Sequence, residues 1–179
     1  MALALHSTSG MKTNTIDVLE LLTEQHAEVD ELFEAIENGN GDKLSLFREL
    51  ADKLAAHAAI EEKIFYPSVM AKDTEEILHE SVEEHLSVKR LLADLMALDP
   101  QADADEFDAK ISVLKEQVSH HAHEEEEKKL FAKLRKSLSA DERAALGNEC
   151  LAMFETLIES EPRRNVPAET AEAAALPSL

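Results

Sequence analysis

Sulphur chemistry, tight turns and large aromatics are all scarce here: 179 residues hold one cysteine, one tyrosine, no tryptophan, four glycines and five prolines. A lone Cys150 excludes an internal disulfide and any cysteine-based metal site, which fits a reducing compartment. Apolar runs long enough to span a bilayer are missing, so no membrane association is expected. The opening, Met1 to Leu5, is too short for a signal peptide and lacks its basic start, so the cytoplasm is the default location. Residues 1–14 read as a flexible extension, and Met11 is an alternative start. Basic residues are few: 18 Lys and Arg face 38 Asp and Glu, for a formal charge of −20. Phosphate binding needs a basic face, so nucleic acid is excluded as an expected partner.

What remains is rich in Leu, Ala, Glu and Lys, residues that lose little rotamer freedom in a helix. Apolar residues recur at steps of three and four in four long segments. The first runs from about Ile16 to Glu37 and the second from about Lys43 to Tyr66, where Pro67 should end or kink it. A third begins near Thr74, behind the cap-like Asp73-x-x-Glu76, and runs toward Leu98. The fourth begins near Asp103-x-x-Glu106 and reaches Leu134. A shorter fifth, from about Asp141 to Glu159, follows Ser139-x-x-Glu142, a capping box. Short turn-like connections predict antiparallel neighbours, hence an all-α, up-down-up-down four-helix bundle over residues 15–160 with a short fifth helix. From residue 161 to 179 the chain is rich in Pro, Ala and Glu and reads as a disordered tail.

Some polar residues occupy positions where the stripes require apolar ones. The first stripe reads Leu19, Leu22, His26, Val29, Phe33, Ile36, and the second reads Leu50, Leu54, His57, Glu61, Ile64. His85 lies three residues from both Val82 and Val88, and His123 and Glu127 lead into Leu130 and Leu134. His26 with His57-x-x-x-Glu61 is thereby echoed by His85 with His123-x-x-x-Glu127. Setting His57 on His123 also matches Glu61-Glu-Lys-Ile-Phe65 to Glu127-Lys-Lys-Leu-Phe131, a duplicated helical hairpin. An ionised carboxylate facing a core costs several kcal/mol or more unless paired or metal-bound. A pair of cations removes that cost for two carboxylates at once. Four imidazoles and two carboxylates suit iron, manganese or zinc better than calcium or magnesium.

This pattern resembles the hemerythrin HHE cation-binding family, most clearly over His57-Ala-Ala-Ile-Glu-Glu-Lys-Ile-Phe-Tyr-Pro67. The resemblance implies a non-haem centre of two iron ions, oxo- or hydroxo-bridged, with His26, His57, Glu61, His85, His123 and Glu127 as ligands. It also exposes a departure. Oxygen-carrying members have a further histidine one turn before the third-helix ligand, where this chain has Ser81. His120 is the first candidate to replace it, with Glu80, Glu84 and Glu124 behind. His79 and His121 fall off the stripes and read as surface residues; Tyr66 reads as packing near a helix end and Cys150 as a small core residue.

Two functions follow from these readings. One is a di-iron protein that binds or responds to O2, NO, peroxide or iron. The alternative is catalase- or peroxidase-like removal of hydrogen peroxide at the same centre. A ferritin-like oxidase is disfavoured, because Glu-x-x-His is needed twice and only Glu76-x-x-His79 fits.

Overall fold

The computed structural model describes residues 16–179; the extension expected over 1–14 lies outside them. Among the described residues every regular element is helical. Helix α1 spans Val18–Asn38, capped by the Asp17 carboxylate, which accepts from the Leu19 amide at 2.9 Å. Gly39 ends it in the left-handed region at φ 68°, a conformation that costs glycine nothing. Helix α2, Lys43–Ile60, starts from an Asp42 cap. It then widens into a π-helical turn over Glu61–Phe65 and returns to α geometry as α3, Tyr66–Val69. Pro67 therefore does not stop the helix; it sits in the first turn of α3, where a missing amide costs least.

Helix α4 spans Glu75–Met96 and α5 spans Ala104–Ser119. Neither starts from the expected aspartate box. Thr74 precedes α4 and its hydroxyl binds the Val69 carbonyl at 2.7 Å, while the Asp103 carboxylate accepts from the Asp99 amide at 2.9 Å. A second π-helical stretch, His120–Leu130, continues α5 into α6, Phe131–Ser137. The Ser139–Glu142 capping box does form, and it opens α7, Ala140–Glu159. At 20 residues α7 is nearly as long as the 21-residue α1, against the short helix expected. It packs on α1 and α2, and Gly147 admits the incoming chain so closely that a Cβ there would lie 1.9 Å from the Ile16 carbonyl oxygen.

The tail also departs from expectation. Pro162–Glu169 forms a 3₁₀ helix packed on α2 and α4, with Val166 only 1 % exposed. One apolar anchor and ion pairs to both helices, described below, hold a segment whose average composition reads as disordered.

The core divides in two. Val18, Leu22, Phe65, Tyr66, Leu78, Val82, Leu130, Phe131 and Cys150 form one group. Val29, Phe33, Leu50, Leu54, Leu92, Phe107, Leu114, Val118 and Val166 form the other. Each site-bearing segment passes from one group to the other at its histidine: Leu22–His26–Val29, Leu54–His57–Ile60, Val82–His85–Leu92 and Val118–His121–Leu130. A polar layer thus lies between two apolar ones.

Candidate metal centre

Four imidazoles and two carboxylates converge in that layer: His26, His57, His85, His121, Glu61 and Glu126, all buried. His26, His57, Glu61 and Glu126 form one group with ligand atoms within 4.8 Å of one another; Glu61, His85 and His121 form a second. Glu61 joins them, its Oε1 3.2 Å from His57 Nε2 and its Oε2 3.2 Å from His85 Nε2. Glu126 Oε2 likewise lies 3.2 Å from His26 Nε2 and 3.8 Å from His121 Nε2.

The ring nitrogens show what these residues suit. His26 Nε2 faces His57 Nε2 at 3.2 Å, and His85 Nε2 faces His121 Nε2 at 3.1 Å. Each Nδ1 has its own oxygen partner: Glu127 at 2.8 Å for His26, Gln25 at 2.7 Å for His57, Glu62 at 3.0 Å for His85 and Glu84 at 2.6 Å for His121. With the hydrogen on Nδ1, both Nε2 atoms of a neutral pair present lone pairs to each other. Only a proton or a metal cation between them makes that arrangement favourable. Anchoring Nδ1 on a carboxylate or amide is also how proteins orient metal-binding histidines. Two carboxylate oxygens, Glu61 Oε1 and Glu126 Oε2, are buried without a hydrogen-bond partner. The residues present therefore fit a pair of cations.

The protonation equilibria of the protein without a cation agree. Burial alone would depress the His26 imidazole, but the Glu126 and Glu127 carboxylates beside it outweigh that and push it up to about 10. His85 rises to about 9 in the same way, against burial and through Glu61 and Glu62. Burial would raise the Glu61 carboxyl, yet His57 and His85 hold it well below the usual range. The site keeps Glu61 ionised and recruits positive charge to it.

Of the residues expected from sequence, His26, His57, Glu61 and His85 meet in this layer. His123 and Glu127 do not enter either group. His123 is 32 % exposed and pairs with Asp30 at 2.8 Å. Glu127 supports His26 from outside through Nδ1. His121 and Glu126 take the inner places. The cause is the second π-helical stretch: a turn closed by i→i+5 bonds carries an extra residue, so the inward face is reset and His and Glu stand five apart rather than four. The repeat is then better read with Glu126-Glu127-Lys128 on Glu61-Glu62-Lys63, and Gln25-His26 on Glu84-His85. The four Nδ1 contacts obey it. Glu62 supports His85 as Glu127 supports His26, and Gln25 supports His57 as Glu84 supports His121. Both π turns also close alike, Tyr66 N–H onto the Glu61 carbonyl and Phe131 N–H onto that of Glu126.

Tyr66 is more than packing. It is fully buried, and its hydroxyl donates to Glu126 Oε1 at 2.9 Å. The oxygen also lies 3.3 Å from Glu61 Oε2, 3.4 Å from His85 Nε2 and 3.5 Å from His121 Nε2. Burial, then the charges of Glu126 and Glu61, hold its phenol well above the ordinary range. Ser81 is buried, donates to the Ile77 carbonyl at 2.9 Å and adjoins this phenol. His120 is 59 % exposed beside Glu84 and Glu125, so it does not fill the place opposite Ser81. In the duplicated half Phe131 stands where Tyr66 does, which makes the two ligand groups unequal. On the side of the second core group, the four histidines border an apolar chamber of about 40 Å³ walled by Val29, Leu54, Val88, Leu92 and Val118.

The family model described as the hemerythrin HHE cation binding domain matches residues 17–134. A "DNA nickase" of Nostoc sp. (strain PCC 7120 / SAG 25.82 / UTEX 2576) is 29 % identical over 137 residues, covering 75 % of this chain and 38 % of that protein. The chain thus spans well under half the length of that relative. No solved structure gives a significant match. The matched span contains all six converging residues and both π turns, and the chain belongs to the hemerythrin HHE cation-binding family.

Proposed function

We propose that this centre holds two iron ions and that the protein binds or responds to a small ligand at them: O2, NO, peroxide or iron itself. His26 and His57 would hold one ion, and His85 and His121, beside Tyr66, the other. Glu61 and Glu126 would lie between them and balance charge. The observation that carries this is the pair of facing Nε2 couples at 3.2 and 3.1 Å, each ring anchored through Nδ1, above two buried carboxylate oxygens that lack partners. Iron so held supplies a Lewis-acidic, redox-active position. The chain's own residues fix the imidazoles, keep Glu61 ionised and border the site with an apolar chamber. A diatomic or triatomic ligand suits that volume, since one water needs roughly 10–15 Å³ of such space.

The passage of each segment from one core group to the other supports an up-down-up-down bundle, with α7 laid against it. No described helix is long and apolar enough to cross a membrane. Cys150, the one cysteine, is free and buried, which suits the cytoplasm. Nicking of DNA is not carried over from the relative: a charge of −20 opposes binding to phosphate.

Catalase- or peroxidase-like removal of peroxide is the second reading, favoured by the Tyr66 hydroxyl pointing into the centre. Metal analysis with an optical spectrum, before and after azide, tests the first reading. About two irons per chain and an azide-shifted near-ultraviolet band are expected; a chain that takes up no iron contradicts it. Oxygen evolution from peroxide by the loaded protein would favour the second.

A further inference from the structure

The chamber beside the histidines borders the seam between α2 and α4, through Leu54, Ala55, Ala58, Val88 and Lys89. These two helices touch each other sparsely, and the 3₁₀ segment Pro162–Glu169 packs on both. Val166 is its apolar anchor, sharing a core group with Leu54 and Leu92. Its start is fixed to α2: the Arg163 guanidinium pairs with Asp52, and the Arg163 amide donates to the same carboxylate at 3.1 Å. Its end is fixed to α4, where Lys89 Nζ meets Glu169 at 3.0 Å and the Arg90 guanidinium donates to the Thr170 and Ala171 carbonyls at 3.0 and 3.2 Å. Glu161, in the left-handed region at φ 53°, turns the chain out of α7 into this segment.

Lys89 is the telling residue. It is 8 % exposed, lines the chamber, and donates to both oxygens of Glu62 at 3.0 and 2.8 Å. Glu62 in turn accepts from His85 Nδ1. A continuous polar chain, Glu169–Lys89–Glu62–His85, thus runs from the segment to the centre, and Lys89 forms part of both the chamber wall and the latch.

We propose that residues 162–171 are a strap over the α2–α4 seam that controls how fast small ligands reach the chamber, with Lys89 as its latch. This rests on the metal reading above. Held by Glu62 and Glu169 together, the ammonium is fixed at the seam and Val166 closes the apolar path beside it. Releasing Glu169 and Val166 opens the path without touching any of the six residues of the centre. The ligand class is a small anion or a molecule of two or three heavy atoms, the size that the chamber of about 40 Å³ suits.

The test uses the iron-loaded full chain and its triple variant R163A/V166E/E169Q, with azide as probe and stopped-flow absorbance as readout. Trypsin cleavage after Arg164 reports independently whether the strap has lifted. The variant is expected to keep its iron and its final azide spectrum, to be cut faster at Arg164, and to bind azide at least fivefold faster. Faster cleavage with an unchanged azide rate would overturn the strap, as would cleavage no faster than in the parent. A parent chain without iron would instead overturn the metal reading, and the strap with it.

Discussion

Around this centre the six converging residues are held by others outside the layer, and on the proposed reading of a metal site the two sets should respond differently to substitution. Glu84 accepts from His121 Nδ1 at 2.6 Å without reaching the metal positions. E84Q keeps an acceptor but loses the charge, so metal affinity should fall by about 10- to 100-fold, measured by competition with a chelator. Tyr66 offers a different case. Y66F removes the only hydroxyl that donates to Glu126 Oε1 within the buried layer, and the metal-free fold should lose about 1–3 kcal/mol in denaturant unfolding. An unchanged midpoint would mean that the carboxylate finds another donor. His26, His57, Glu61 and His85 were legible in the sequence because each interrupts an apolar stripe whose α register holds up to that residue. His121 and Glu126 were not, because stripe reading assumes one period throughout. The signal that finds Glu126 is the repeat of Glu-Glu-Lys at 61–63 and 126–128; it sets Ala122 on His57, so His121 has no such signal. Tyr66 was hidden by its place near Pro67, which sequence reading treats as a helix end.

At the scale of elements, the second π-helical stretch is what brings Glu126 to the centre, and both π turns lie at the candidate site, as such turns commonly do. Helix boundaries and the long amphipathic segments were readable from periodicity; the caps were less so. Asp73 and Asp103 carry the right spacing, yet Thr74 and the Asp99 turn take the hydrogen bonds instead. The strap escaped a composition argument because buried Pro162 and Val166 and a few ion pairs suffice to dock a short segment. Helix contacts give two further predictions. G147A would gain helix propensity by about 1 kcal/mol on an exposed helix, yet here the added Cβ meets the Ile16 carbonyl. Net destabilisation of about 1–3 kcal/mol is expected from a thermal or urea melt. Asp17 caps α1 and pairs with Arg143 of α7 at 2.6 Å; burial raises its carboxyl, but Arg143 and the Leu19 amide hold it below the ordinary value. A depressed folded value contributes stability above the ordinary aspartate range that is lost as pH falls through the lowered value. D17N should therefore be less stable than the parent near neutrality and approach it in acid.

For the molecule as a whole, a charge of −20 surrounds a centre that itself contains Glu61 and Glu126 and is ringed by Glu62, Glu84 and Glu127. Self-repulsion on this scale destabilises the compact state, and the two cations proposed for the centre would relieve it where it is densest. Iron removal should lower the melting temperature, and added salt should raise that of the metal-free chain more than that of the loaded one. Metal at about a hundredfold excess over its dissociation constant contributes about 2.7 kcal/mol per site. The fold and the central claim meet in the register of the fourth segment, where an α-helical repeat would put His123 and Glu127 inside and the structure puts His121 and Glu126 there. Iron content of the purified parent, H121A and H123A proteins decides it most directly. About two irons per chain are expected in the parent and in H123A, with at least half lost in H121A; iron lost from H123A and retained by H121A would contradict it.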